Sequence, residues 1–174
     1  MTHAIEQSKE IWGMIGHAWA VEMLQQQILH DSVRHAYLFT GPAGVGRRTL
    51  ALRFVQALSC AAPLAPAIPC YKCQICKQID EMHFPDLEVI QSEKIGGELK
   101  IEQVRSIQYN LSLTPMIGTH RFALFLRFHE ANPHTANALL KTLEDSPGNS
   151  ILILTADTLE GLPPTIVSRC EVLR

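Results

Sequence analysis

The stretch HAYLFTGPAGVGRRTLALRFVQALSC, residues 35–60, constrains the fold more than any other part of the chain. A short apolar run (35–41) reaches a turn holding Gly41, Gly44 and Gly46. An amphipathic pattern follows from Thr49, with Leu50, Phe54, Val55 and Leu58 on one stripe. Strand, glycine turn, helix is the order a phosphate-binding loop needs, because backbone N–H groups and a helix N-terminus must face the ligand. The Walker A pattern also asks for Lys and then Ser or Thr directly after the second spaced Gly. Gly41 and Gly46 keep the spacing, but Arg47 replaces Lys and Arg48 replaces the magnesium-binding hydroxyl. Arg47 keeps the charge in a bulkier, planar form. Arg48 has no acceptor atom and cannot ligate a cation. Thr49, one position later, is expected to point elsewhere on the helix.

The rest of the chain alternates between the same two kinds of pattern. Helical spacing is read at 18–29, 101–113 and after Asn132, where Asn132 can cap, Pro133 suits the first turn, and Ala136, Leu139, Leu140 and Leu143 follow at i, i+3, i+4 and i+7. Strands are predicted at 87–92, 121–128 and 150–156, a turn at Gly96-Gly97, and a further helix or short strand near the end. The Pro-rich run 61–69 cannot form regular structure. Strands that are apolar on both faces, alternating with helices, predict an α/β fold with a parallel sheet covered on both sides.

Composition excludes some classes. With 174 residues, 47% hydrophobic and 18% charged, the chain suits one globular domain, not a disordered segment. A net charge of −2 gives no global attraction to nucleic acid, so any contact must come from a local patch. The first twenty residues lack the charged-then-apolar order of a secretory leader, and FALFL and ILILTA are too short to span a bilayer. A soluble cytoplasmic protein is expected, where thiols stay reduced. Cys70, Cys73 and Cys76 form C-x2-C-x2-C, with Cys60 upstream. Four thiolates suit a closed tetrahedral zinc site of structural type. Cys170 stands apart and is read as a small buried hydrophobe. The eight histidines (His3, His17, His30, His35, His83, His120, His129 and His134) show no ligand spacing and are assigned no chemistry.

The loop, the cysteine cluster, HFPDLEVI, IEQVRSIQYNLSLTPMIGTHRFALF, ANALLKTLEDSP and LPPTIVSRC run in the order that bacterial clamp-loader AAA+ subunits show, and the chain resembles their DNA polymerase III tau/gamma and delta-prime members from about Ile15 to Cys170. NALLKTLE with SRC is far more specific than a lone glycine loop. The resemblance implies a RecA-like AAA+ domain (1–174) with a small zinc module (60–76) inserted in it, and a helical lid and collar outside these residues. It places Leu126 at the metal-binding Asp of Walker B, Arg127 at the water-activating Glu, and Arg169 at the arginine finger offered in trans to a neighbouring subunit. Leucine cannot organise magnesium, and a guanidinium cannot take a proton from water.

Within the resemblance, two losses in one site point to delta-prime, the subunit that does not hydrolyse ATP. A non-hydrolysing scaffold is therefore expected, without intrinsic ATPase although part of a DNA polymerase holoenzyme. ATP or ADP binding is left open, and the implied partners are tau/gamma, delta, the sliding clamp and primer-template DNA. Two other readings stand beside it: a tau/gamma-like ATPase with divergent Walker motifs using Thr49 and Glu130, and a zinc-dependent nucleic-acid-binding module. For the last, Arg47, Arg48, Arg53, Arg121, Arg127 and Lys141 are the basic candidates, and weak DNA binding at most is expected of the chain alone.

Overall fold

Continuous apolar runs become the inner strands of one parallel sheet. The computed structural model describes residues 12–174; His3 and the start of the stretch scanned for a leader lie outside them. In chain order the elements are α1 (Ala18–Leu29), β1 (Ala36–Thr40), α2 (Arg47–Ser59), α3 (Gln74–Asp80), β2 (Leu87–Ile90), α4 (Ile101–Ser112), β3 (Arg121–Phe125), a 3-10 turn (Phe128–Glu130), α5 (Pro133–Glu144), β4 (Ser150–Ala156), α6 (Pro164–Val167) and β5 (Glu171–Leu173). The sheet runs β2-β3-β4-β1-β5, every neighbour parallel. β4 therefore separates β1 from β3, and the register sets Thr40 beside Ala156 and Phe125 beside Leu154.

Alternation along the buried strands builds a core on each face. Tyr37, Phe39, Phe122, Leu124, Ile151 and Ile153 pack with Val21 and Leu24 of α1 and Phe54 and Val55 of α2. Leu38, Ala123, Phe125, Leu152 and Leu154 face Val104 and Ile107 of α4, Leu139 and Leu143 of α5, and Ile166 of α6. Each fully buried leucine or phenylalanine contributes about 1.5–3 kcal/mol. This three-layer arrangement is the RecA-like α/β architecture expected from the alternating pattern.

Local signals explain most boundaries. Asn132 caps α5, its side-chain oxygen accepting from the Thr135 amide at 2.8 Å, with Pro133 in the first turn. Gly46 takes φ +96° as the cap of α2, a conformation that strains any residue carrying a Cβ. β2 stops at Ile90, short of the predicted 92, and two other boundaries differ from expectation. α2 begins at Arg47, two residues before Thr49, because the left-handed Gly46 closes the loop there. β3 ends at Phe125 although apolar residues continue, because Arg127 adopts φ 56°, ψ 51° and turns the chain into the 3-10 segment. The final stretch forms both alternatives, the short helix α6 and then β5.

The turn before β3 is held by one buried carboxylate. Asp86 accepts from the amides of Met116 at 2.6 Å and of Ile117 and Gly118 at 2.8 Å, with Arg121 Nε at 3.6 Å. Burial opposes its ionisation, but these amide hydrogen bonds outweigh it and hold its pKa below the usual carboxylate value. Its contribution to stability is therefore complete above the unfolded pKa, about 3.9, and is lost as pH falls through the lower folded value. Asp86→Ala should cost about 3 kcal/mol in urea unfolding at neutral pH. Asp86→Asn should flatten the acid limb of stability against pH.

Candidate functional site

The C-terminal ends of β1, β3 and β4 open on a cleft of about 330 Å³ lined by Gly44, Gly46, Arg47, Arg48, Thr49, Gln91, Leu126, Arg127 and Thr155. The parallel sheet puts them there: ligand sites of such folds form beyond the carboxyl ends of the strands. The glycine loop thus meets the residue pair after β3, as the sequence predicts. Thr49 borders the same cavity. The earlier start of α2 carries it into the first helical turn.

Two guanidiniums in the cleft are tied to carboxylates. Arg47 Nη2 donates to Asp157 Oδ1 at 2.5 Å, and Arg47 is mostly buried. The Arg47 hydrogen bond holds the Asp157 carboxyl below its ordinary value. Arg127 Nε donates to Glu130 Oε1 at 2.9 Å, and its amide donates to Thr155 Oγ1 at 3.0 Å. Arg48 has no carboxylate partner among the described residues and is exposed.

Glu130 is the one acid close to the cleft on the β3 side that might have replaced a water-activating base. It lies beyond the strand, in the 3-10 turn, and its side chain is only 6% exposed. Ser92 Oγ, the Gly96 amide at 2.8 Å and Arg127 all donate to its carboxylate. Burial works against ionisation, yet these donors outweigh it and lower the pKa. A general base acts best with a pKa near the working pH and a free lone pair aimed at water. Three donors already on its carboxylate and a lowered pKa suit Glu130 to pinning the loop at Ser92–Gly96 to the end of β3.

Arg169 sits between α6 and β5, away from this cleft. Its Nη2 donates to Glu144 Oε1 at 2.5 Å and its Nη1 to the Thr165 carbonyl at 2.9 Å, with a third of the side chain exposed. Glu144 ends α5, so the helix of NALLKTLE and the SRC segment are joined by this pair.

The cysteines converge as their spacing predicts. Cys60 follows the last turn of α2, Cys73 caps α3, and Cys76 lies in its first turn. All four sulfurs of Cys60, Cys70, Cys73 and Cys76 lie within 4.8 Å of one another. Cys60 Sγ is 3.5 Å from Cys70 Sγ and 3.9 Å from Cys73 Sγ. Those separations bracket the ~3.8 Å edge of a tetrahedron with ~2.3 Å metal–sulfur bonds. The amides of Lys72 and Cys73 lower the Cys70 thiol to about 6, whereas burial raises Cys76. Four close thiols of this kind can hold a metal ion. Gln56, fully buried on α2, donates to the Cys76 carbonyl at 2.8 Å, and Arg53 lies 4.7 Å over the Tyr71 ring.

Several of these partners were not foreseen from the sequence. Asp157 is the clearest, and its signal was a polar residue directly after a continuous apolar strand. Asp86, Ser92 and Glu144 gave no comparable signal. His35 Nε2 lies 3.0 Å from the Leu143 carbonyl, a structural contact, and Cys170 packs against the second core cluster with its thiol pushed up to about 12 by burial. Arg53 and Arg121 pair with Asp80 and Asp86, which leaves little free basic surface from the candidates named above.

The cysteine geometry makes a direct prediction. Cobalt titrated into the metal-free chain should give thiolate charge-transfer absorption saturating at one equivalent, lost in Cys73→Ser. Chelation should lower stability by about 3 kcal/mol, or roughly 10 °C in Tm.

Comparison with known proteins gives the chain its relatives. A family model described as DNA polymerase III, delta subunit, matches residues 16–174. The delta-prime subunit of Pseudomonas aeruginosa is 36% identical over 78% of this chain and 41% of its own length. The tau/gamma subunit of Haemophilus influenzae is 33% identical over 90% of this chain and 22% of its own. The chain thus spans less than half the length of these curated relatives. A gamma subunit-related protein of Thermotoga maritima superposes with a TM-score of 0.64 at 22% identity, covering 88% of this chain and 44% of that one. The branch-migration motor RuvB of the same organism gives 0.52 at 18% identity, over 88% and 41%. At such identities the two structures speak for the fold alone, a RecA-like parallel α/β core. With the family model spanning nearly all of its residues, the chain belongs to the DNA polymerase III delta-subunit family.

Proposed function

We propose that this chain is a non-hydrolysing, delta-prime-type subunit of the DNA polymerase III clamp loader, supporting placement of the sliding clamp on primed DNA. The carrying observation is the composition of the cleft. Leu126 and Arg127 line it where a metal-binding acid and a water-activating acid are needed, Arg48 stands at the hydroxyl position, and Glu130 is fully engaged elsewhere. Each hydrolytic role lacks a group able to perform it, so neither ATP nor ADP is turned over here.

Arg169 is the group the chain offers outward. A guanidinium presented across a subunit boundary stabilises charge on a neighbour's transferring phosphoryl group. Its partial exposure and its fixed place between α6 and β5 support that role. A phosphate must compete with Glu144 for it. The partners on this reading are tau/gamma and delta subunits, with the clamp and primer-template DNA reached through the assembly, and weak DNA binding by the chain alone.

Cys60, Cys70, Cys73 and Cys76 would hold a structural zinc, making 60–76 a module inserted in one RecA-like domain over 1–174. With every ligand position taken by sulfur, the ion would tie the end of α2 to the start of α3 and leave no position for substrate. The 33% identity to tau/gamma over most of the chain favours a second reading, a divergent hydrolysing motor. No helix among the described residues is long and apolar enough to cross a membrane, in keeping with a cytoplasmic location.

One set of assays separates the readings. The chain alone should show no magnesium-dependent ATP hydrolysis, whereas steady turnover abolished by Glu130→Gln would establish the motor. Assembled with tau/gamma and delta, Arg169→Ala should lower hydrolysis at the neighbouring site by about 10³-fold.

A further inference from the structure

The cleft offers magnesium no carboxylate, and every charged group in its lining is positive. Three arginines, Arg47, Arg48 and Arg127, border the same cavity of about 330 Å³, and no carboxylate lines it. Asp157 and Glu130 pair with Arg47 and Arg127 from outside the lining. Arg48 remains exposed and unpaired among the described residues. Arg47 Nη1 is buried without a hydrogen-bond partner among the described residues. Arg127 Nη2 reaches Ser92 only at 3.3–3.4 Å. The charge of Arg48 is therefore not offset at this point by any carboxylate among the described residues.

We propose that the cleft binds polyphosphate anions without a divalent cation, and that magnesium opposes the binding. In an ordinary phosphate loop magnesium neutralises the phosphates and is itself held by protein oxygens. Here the guanidiniums supply the neutralising charge directly, through forked hydrogen bonds suited to phosphate oxygens. A magnesium ion on the ligand would remove the negative charge that attracts these arginines. It would also meet Arg48 and Leu126 where oxygen ligands are needed. The ligand is the phosphate chain, free or as the tail of a nucleotide. This deepens the reading of a non-hydrolysing site and rests on it, but the two fail separately: turnover of ATP overturns that reading, while absence of binding overturns only this one.

The test is isothermal titration of the intact chain with sodium tripolyphosphate, ATP and ADP, each in EDTA and in excess magnesium. Tripolyphosphate and ATP should bind in EDTA, and magnesium should weaken both. Arg48→Ala should weaken binding by about tenfold through loss of a charge-assisted contact, and Arg48→Glu should abolish it. Arg48 is exposed, so these variants should keep the wild-type circular dichroism and melting temperature. Tripolyphosphate binding as well as ATP identifies the phosphate chain as sufficient; tighter ATP binding adds a contribution from the nucleoside. Absence of binding in EDTA at millimolar ligand, binding strengthened by magnesium, ATP binding without tripolyphosphate, or full affinity in Arg48→Glu would each overturn the proposal.

Discussion

The insertion of β4 between β1 and β3 is the constraint on which the rest of this structure depends. Parallel pairing forces the carboxyl ends of all three strands to one edge, and the register puts Thr40 level with Ala156 and Phe125 level with Leu154. Everything that follows a strand is thereby placed: the glycine loop after β1, Leu126 and Arg127 after β3, Asp157 after β4. Burial on both faces keeps the strands from slipping, since a one-residue shift would exchange the two core faces.

Charge at that edge is arranged for holding position more than for chemistry. Asp157 ties the first residue of α2 to the end of β4, and Glu130 ties Arg127 to the loop after β2. A partly exposed pair such as Arg47–Asp157 contributes about 1 kcal/mol or less. The effect of both ties is geometric: Glu130 takes three donors and Asp157 the Arg47 guanidinium, and both carboxyls are held below their ordinary pKa. The Arg169–Glu144 pair differs in standing nearer the surface, with a third of Arg169 and half of Glu144 exposed.

Much of this was legible in the residues. The continuous apolar run at 150–156 is β4 to the residue, and Asn132-Pro133 opens α5 as its capping chemistry requires. The cysteine spacing gave the cluster, because a C-x2-C-x2-C run can scarcely do anything but turn its sulfurs inward. The end of β3 was not legible: Leu126 and Phe128 are apolar and buried, so hydropathy runs on while the backbone has already turned at Arg127. The start of α2 was not legible for a related reason. Helix phase depends on where the helix starts, and only the left-handed Gly46 fixes that.

What the sequence determined by itself was the set of groups available: a loop without lysine or magnesium-binding hydroxyl, a β3 end without acids, four thiols at metal spacing. Side-chain chemistry does not change on folding, so the absence of particular groups could be read directly. What only the tertiary structure decided was which groups meet. Asp157 reaches Arg47 across 110 positions, and Glu130 reaches back to Ser92 across 38. Such partnerships are set by strand order and register, which arise from the packing of the whole sheet and not from any local stretch of the chain.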